Sequence, residues 1–199
     1  MSDSLSRRKL ARAAARLAAE GRSSLPFLVL MTDDERLPAP FAAAKVLPPG
    51  SMVVVRSRDD ARRKTLAVAM MKLARARGHF VLIAGDASLA LAVGADGVHL
   101  SEARIGEAAS VRARHRLIVT AAAHSAAALR YSAWLDAMFL SPVFPTASHP
   151  GRSALSPVRA AAIVRMAQLP VYALGGVNAR NAGRLTGFGG IAAIGALAV

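Results

Sequence analysis

The chain has no cysteine, so disulfides, thiolate metal sites and a cysteine nucleophile are all excluded. Aromatic residues make up only 5% of its 199 positions, leaving few platforms on which nucleobases could stack. No uninterrupted apolar run reaches the roughly 18 residues that a membrane-spanning helix needs, so no membrane partner is expected. Acidic residues are scarce as well: 12 Asp and Glu against 26 Lys and Arg give a formal charge of +14.

An excess of that size can mark a nucleic-acid binder. Here 16 of the 26 basic residues lie in residues 1–77, mostly Arg spread along helical segments, and only RRK recurs as a cluster, at Arg7–Lys9 and Arg62–Lys64. With so few aromatics, nucleic acid is not the expected partner. A positive field that draws in phosphorylated small molecules fits at least as well. Met1–Glu20 has no long apolar core and no evident cleavage site, so it does not read as a secretory signal, and a cytoplasmic protein is expected; its Arg- and Ala-rich composition would also fit a transit peptide.

What the chain does have is apolar mass, 54% of residues, enough for the core of one domain. Ser4–Glu20 carries Leu and Ala at helical spacing among Arg and Lys, an amphipathic helix ahead of the first strand. From Pro26 onward, apolar runs of strand length alternate with helical segments: Pro26–Thr32, Ser51–Arg56, His79–Gly85, Asp96–Leu100, Arg116–Ala122, Asp136–Ser141, Leu169–Leu174 and Gly190–Gly195. Helices are expected at Ala39–Val46, Asp59–Arg77, Ala87–Val93, Ile105–Ala113, Ser125–Trp134, Ser156–Met166 and Ala179–Leu185. Strands apolar on both faces belong to a parallel sheet covered by helices. Eight such units predict an α/β protein with a small (β/α)8 barrel over residues 26–199, preceded by a helix and lead-in over 1–25. The last helix is missing or truncated, and the N-terminal helix could cover the gap. No GxGxxG follows the first strand, which argues against a dinucleotide-binding sheet.

Active sites of such barrels lie at the C-terminal ends of the strands. Gly175–Gly176 after the seventh strand and Gly195–Ala196 after the eighth would let backbone N–H groups approach a phosphate; the plainer reading is two strand-ending turns. The stretch Phe139–Gly151, FLSPVFPTASHPG, runs from a buried-looking strand into a loop with three prolines, a Thr, a Ser and a His. That composition suits either a stiff platform for a ligand or a simple stop.

Together with GADGVHL at Gly94–Leu100 and YALGGVNARN at Tyr172–Asn181, this stretch resembles the thiamine phosphate synthase / TenI family, from about Phe27 to the C-terminus. The resemblance implies a thiamine-biosynthesis enzyme binding a thiazole-type phosphate at Gly175, Gly176, Gly195 and Ala196, with Thr146 and Ser148 as hydrogen-bonding groups. A second-strand Gln-x-Arg-x-Lys pattern that holds a pyrimidine diphosphate corresponds to Val54, Arg56 and Arg58, so two cations remain as binding candidates. A magnesium ligand corresponds to Asp86, but its partner position holds Arg104, with Glu102 nearby, so the magnesium site looks degraded. His149 stands where a diphosphate-binding Lys is expected, and Ala122 where a Ser is. His124 matches the TenI-type His that shuttles a proton in tautomerising a thiazole carboxylate phosphate, work suited to imidazole. His99, inside the fourth strand, reads as structural or as a support behind the site. The implied activity is that of a divergent synthase or a TenI-like tautomerase. The alternative is a non-catalytic, regulatory barrel that binds a phosphometabolite. A dimer is compatible with either.

Overall fold

Strand residues alternate between two buried environments, and that alternation builds the molecule. The computed structural model describes residues 3–21, 23–131, 133–146 and 153–199. Eight strands, β1 (Leu28–Met31), β2 (Met52–Val55), β3 (Phe80–Ala84), β4 (Gly97–Leu100), β5 (Ile118–Ala123), β6 (Ala137–Leu140), β7 (Val171–Ala173) and β8 (Gly190–Ala193), pair in sequence order. All pairs are parallel, and β8 closes on β1 with Val29 opposite Ala192. The fold is the expected (β/α)8 barrel.

Val29, Met31, Met52, Val54, Leu82, Phe139 and Tyr172 fill the interior, while alternate residues such as Leu28, Leu30, Val53, Val81 and Ile191 join the layer under the helices. Phe139 and Tyr172 are in ring contact with centroids 5.2 Å apart. The Tyr172 hydroxyl lies 3.1 Å from Ser23 Oγ, and burial raises its pKa to about 12 although that hydrogen bond works the other way. The interior is a packed core, as small barrels require. Two acidic residues at strand starts latch the neighbouring strand: Asp96 Oδ2 accepts from Val81 N, and Asp136 Oδ2 from Val119 N, both at 2.7 Å.

The outer layer is less regular than the periodicity predicts. The helices after the first strand are α2 (Pro40–Lys45), α3 (Asp60–Arg77), α4 (Ala87–Val93), α5 (Ala108–Arg114) and α6 (Pro157–Val164). Asp59 caps α3 by accepting from Arg62 N, and Gly78 ends it in the left-handed region at φ 65°. The helix expected at Ile105–Ala113 begins as a 3-10 turn over Glu102–Glu107, around Gly106, and becomes α-helical only at Ala108. Among the described residues, the expected helices at Ser125–Trp134 and Ala179–Leu185 are only the 3-10 turns Ala128–Arg130 and Ala182–Arg184. Local side-chain bonds compete with helix there: Ser125 Oγ accepts from Ala128 N, and Asn181 Oδ1 accepts from Asn178 N.

Before the barrel, α1 (Asp3–Glu20) buries Leu10, Ala14 and Leu17, spaced i, i+4, i+7, against the sheet beside β1 and β8. Arg7 Nη1 donates to Ala198 O at 3.0 Å, and Arg16 Nη2 to Leu185 O at 2.9 Å. After β8 the described chain forms only the 3-10 turn Gly195–Leu197, so α1 occupies the outer slot between β8 and β1. Burying Leu10 and Leu17 there contributes about 2 kcal/mol each. Among the described residues no helix is long and apolar enough to cross a membrane.

Candidate active site

The period of two that fills the barrel interior also fixes its mouth. Two residues beyond each interior side chain, the next inward position reaches the C-terminal rim: Arg56 after Val54, Ser101 after His99, Ser141 after Phe139, Leu174 after Tyr172 and Ile194 after Ala192. These side chains, with Arg36, Arg104, His124 and Thr146, line a cavity of about 400 Å³. A second space of about 370 Å³ runs over the turns after β7 and β8, lined by Gly175, Gly176, Asn178, Gly195 and Ala196. The two share Arg36, Thr146, Leu174, Gly175 and Ile194 and so form one continuous mouth. Among the described residues no carboxylate lines either space.

The acidic turn after β1 orients the cations. Asp33 Oδ2 accepts from Arg36 Nη2 at 2.6 Å and from Arg56 Nη2 at 2.9 Å, and Arg56 Nε donates to Thr32 O at 2.9 Å. Burial works to raise the Asp33 pKa, but hydrogen bonds from Arg36 and the charges of Arg36 and Arg56 hold it down to about 2. Burial lowers the Arg56 pKa, with Asp33 opposing. Asp34 ties the same turn to the loop after β2 by accepting from Ser57 Oγ and Arg58 N. The Arg58 side chain is 93% exposed and reaches only toward Glu35, 3.7 Å away, so it does not line the cavity.

His124 lies just beyond β5. Its backbone N–H donates to Glu102 Oε2 at 2.6 Å, and its Nδ1 sits 3.0 Å from Ser141 O and 3.2 Å from Ser141 Oγ. A carbonyl oxygen only accepts, so in the neutral ring Nδ1 carries the proton and Nε2 the lone pair. Glu102, which stands near the expected metal position, is thus engaged in holding the His124 backbone. His99 is deeper in the same cavity, with Nδ1 2.9 Å from Thr120 Oγ1 and its ring 4.8 Å from that of Phe139. Burial, aided by the Arg56 charge, lowers its pKa to about 3, so it is neutral.

The proline loop is bound edge-on to the end of β7: Val143 N donates to Leu174 O and Phe144 N to Gly175 O. This gives the paired glycines a reason beyond the one read from sequence. Gly175 and Gly176 have φ of 85° and 67°, and a Cβ on Gly176 would lie 2.4 Å from Pro145 O. These two glycines let the proline loop pack on the turn. At Gly195, by contrast, a Cβ would meet nothing within 4 Å, and the residue faces the open space of the mouth. Asn178 and Asn181 both donate to Gly176 O and brace the turn.

Magnesium does not fit the residues at its expected position. Asp86 Oδ1 is used as the cap of α4, accepting from Leu89 N at 2.8 Å, and Oδ2 lies 3.6 Å from Arg63 Nη2. Arg104 Nη1 donates to Gly85 O at 2.6 Å, so a second cation already occupies the neighbourhood. Among the described residues, no group of three or more His, Cys, Asp and Glu is placed to hold a metal ion. A divalent ion needs several oxygen ligands, and here one carboxylate faces two guanidinium groups.

Of the residues singled out from sequence, Arg56, His124, Thr146, Gly175, Gly176, Gly195 and Ala196 come together around the mouth, and Arg104 joins them. Arg58 and Asp86 do not line it. Ser148 and His149 lie outside the described residues. The sequence pattern did not single out Arg36, Ser101 and Ser141, and it gave His99 a structural place or one supporting the site from behind. Extending the strand alternation by two residues would have found Ser101 and Ser141; Arg36, in a loop, carried no such signal.

Comparison with known proteins bears on the family and the fold. The family described as thiamine monophosphate synthase matches residues 28–197. A putative thiamine-phosphate synthase 2 of Aquifex aeolicus is 34% identical over 161 residues, covering 77% of this chain and 87% of that protein. A thiamine-phosphate synthase of Chromobacterium violaceum is 34% identical over 180 residues, covering 83% of each. The solved structure of a thiamine phosphate pyrophosphorylase from Pyrococcus furiosus superposes with a TM-score of 0.68 at 23% identity, over 84% of both chains, a likeness of fold.

Proposed function

The chain belongs to the thiamine monophosphate synthase family, and on that premise we propose that this enzyme of thiamine biosynthesis is a TenI-like tautomerase. It acts in the cytoplasm on a thiazole-type phosphate and moves a proton through His124. The observation that carries this reading is the His124 ring itself: it lines the mouth, its Nδ1 is anchored on Ser141 O, and its Nε2 is the basic nitrogen. The phosphate lies over the turns after β7 and β8, where Gly195 leaves open space beside backbone N–H groups. The ring rests in the apolar part of the mouth against Leu174 and Ile194, which the two spaces share. Tautomerisation removes one proton and returns one elsewhere, so a single positioned base that releases what it takes is sufficient, and such a base contributes roughly 10²–10⁴-fold.

Calorimetric titration with thiazole phosphate tests the binding part. The wild type and His124→Asn bind with affinities within about threefold of each other, because the phosphate subsite is elsewhere. Absence of binding by the wild type would sink the reading.

A second reading, a divergent synthase that joins thiazole phosphate to a pyrimidine diphosphate, is favoured by one observation. Three guanidinium groups, those of Arg36, Arg56 and Arg104, line the same mouth. A departing diphosphate would need positive charge of that kind. Formation of thiamine phosphate from the two substrates would decide for it.

A further inference from the structure

The mouth has two ends of different chemistry. Toward β7 and β8 it offers glycine turns; toward β2 and β4, across the closed barrel, it offers Arg56 and Arg104, with Arg36 bridging both spaces. Arg104 is held by three hydrogen bonds. Its Nε and Nη2 donate to the two Glu107 carboxylate oxygens at 2.6 and 2.7 Å, and its Nη1 donates to Gly85 O at 2.6 Å. A guanidinium carries five N–H donors. These three bonds leave two for a ligand in the cavity that Arg104 lines. The hydrogen bond to Glu107 and the charges of Glu107 and Asp86 raise the Arg104 pKa although burial opposes them, so its charge is permanent.

We propose that this wall is a metal-independent site for a second anionic group on the ligand, a diphosphate or a carboxylate. Arg104 there supplies the positive charge that a divalent cation would otherwise bring. The inference rests on the reading above for the class of ligand, and on the misfit of magnesium at Asp86 for its content. The two N–H donors left on Arg104 can each meet an oxygen of a diphosphate or a carboxylate, and they need no ion to bridge them. A cation placed at Asp86 would instead face the Arg63 and Arg104 guanidinium groups, both of which act on that carboxylate.

The test is calorimetric titration of the full-length protein with inorganic pyrophosphate and, separately, with a thiazole carboxylic acid, first in a chelator and then with magnesium chloride. At least one of the two probes binds in chelator, and magnesium does not tighten it. Arg104→Gln weakens that binding at least tenfold, Arg104→Lys less, and Arg114→Gln, exposed on α5, not at all. Melting curves of the Arg104 variants identify any loss due to unfolding, and the Lys variant keeps the charge if the Gln variant does not fold. Pyrophosphate binding alone assigns the wall to a diphosphate, and carboxylate binding alone to a carboxylate. Neither probe binding, a requirement for magnesium, or unchanged affinity in a folded Arg104→Gln protein would overturn the proposal. Thiazole phosphate titrated against the same variants keeps its affinity at the glycine turns, so failure of that reading is scored separately.

Discussion

Replacing Gly176 by Ala separates the two roles that glycine has in this mouth. At φ 67° an L side chain pays about 1–2 kcal/mol for the left-handed backbone. The new Cβ would also sit 2.4 Å from Pro145 O, 2.8 Å from Phe144 O and 2.9 Å from Phe144 Cβ. Two of these are backbone atoms of a loop already hydrogen-bonded to the end of β7, so relief requires moving the loop. Overpacking of that kind costs roughly 1–3 kcal/mol. The sum is about 3 kcal/mol, which in a chain of this size lowers the melting temperature by roughly 6–12 °C. Gly195→Ala is the control: its Cβ meets nothing within 4 Å, so the melting temperature stays within about 1 °C. That methyl intrudes on the space over the turns, so affinity for thiazole phosphate falls about tenfold. Thermal denaturation by circular dichroism and calorimetric titration measure the two effects. A Gly176→Ala protein as stable as wild type would refute the packing argument, and equal affinity in Gly195→Ala would refute the placement of the phosphate.

Three further outcomes are expected. The unfolded chain protonates His99 near its ordinary pKa of 6.5, whereas the folded ring resists until about 3, so stability is lost as pH falls below about 6.5. The slope attributable to this one group, up to about 1.4 kcal/mol per pH unit, disappears in a folded His99→Phe protein studied by urea titration. Asp33 acts lower, since its folded pKa of about 2 lies below its ordinary value of 3.8: its contribution is complete above about pH 4 and is lost toward pH 2, and Asp33→Asn lacks that last acid step. Leu17→Ala on α1, where the side chain is fully buried, costs about 3 kcal/mol by denaturant unfolding; a loss under 1 kcal/mol would show that α1 does not cover the sheet beside β8 and β1.

The strands were legible because nothing local competes with them: eight apolar runs of strand length, bounded by turns, favour a closed barrel over an open sheet. The outer layer was less so. Ser125–Trp134 and Ala179–Leu185 have helical composition, but Ser125, Asn178 and Asn181 spend their side chains on local backbone groups, and short 3-10 turns result. Within the site, Arg56 and His124 could be named because the family resemblance matched them, each just beyond a strand. Arg36 could not, because its position depends on Asp33 holding it together with Arg56 across a loop. Arg58 matched a sequence pattern and yet points to solvent, since Asp34 takes its backbone N–H and Glu35 its side chain. The glycines after β7 were noticed for a phosphate, while the contact that requires them, with the proline loop, is 30 residues and more away in sequence and invisible there.

The most direct test of the account is turnover of a thiazole carboxylate phosphate in deuterated water, followed by proton NMR, for the wild type and His124→Asn. The wild type interconverts the tautomers and introduces deuterium at the exchanging carbon, and the variant binds the same ligand but does so at least a hundredfold more slowly. Equal rates in both proteins, or a wild type inert toward this substrate while joining thiazole phosphate to a pyrimidine diphosphate, would contradict it.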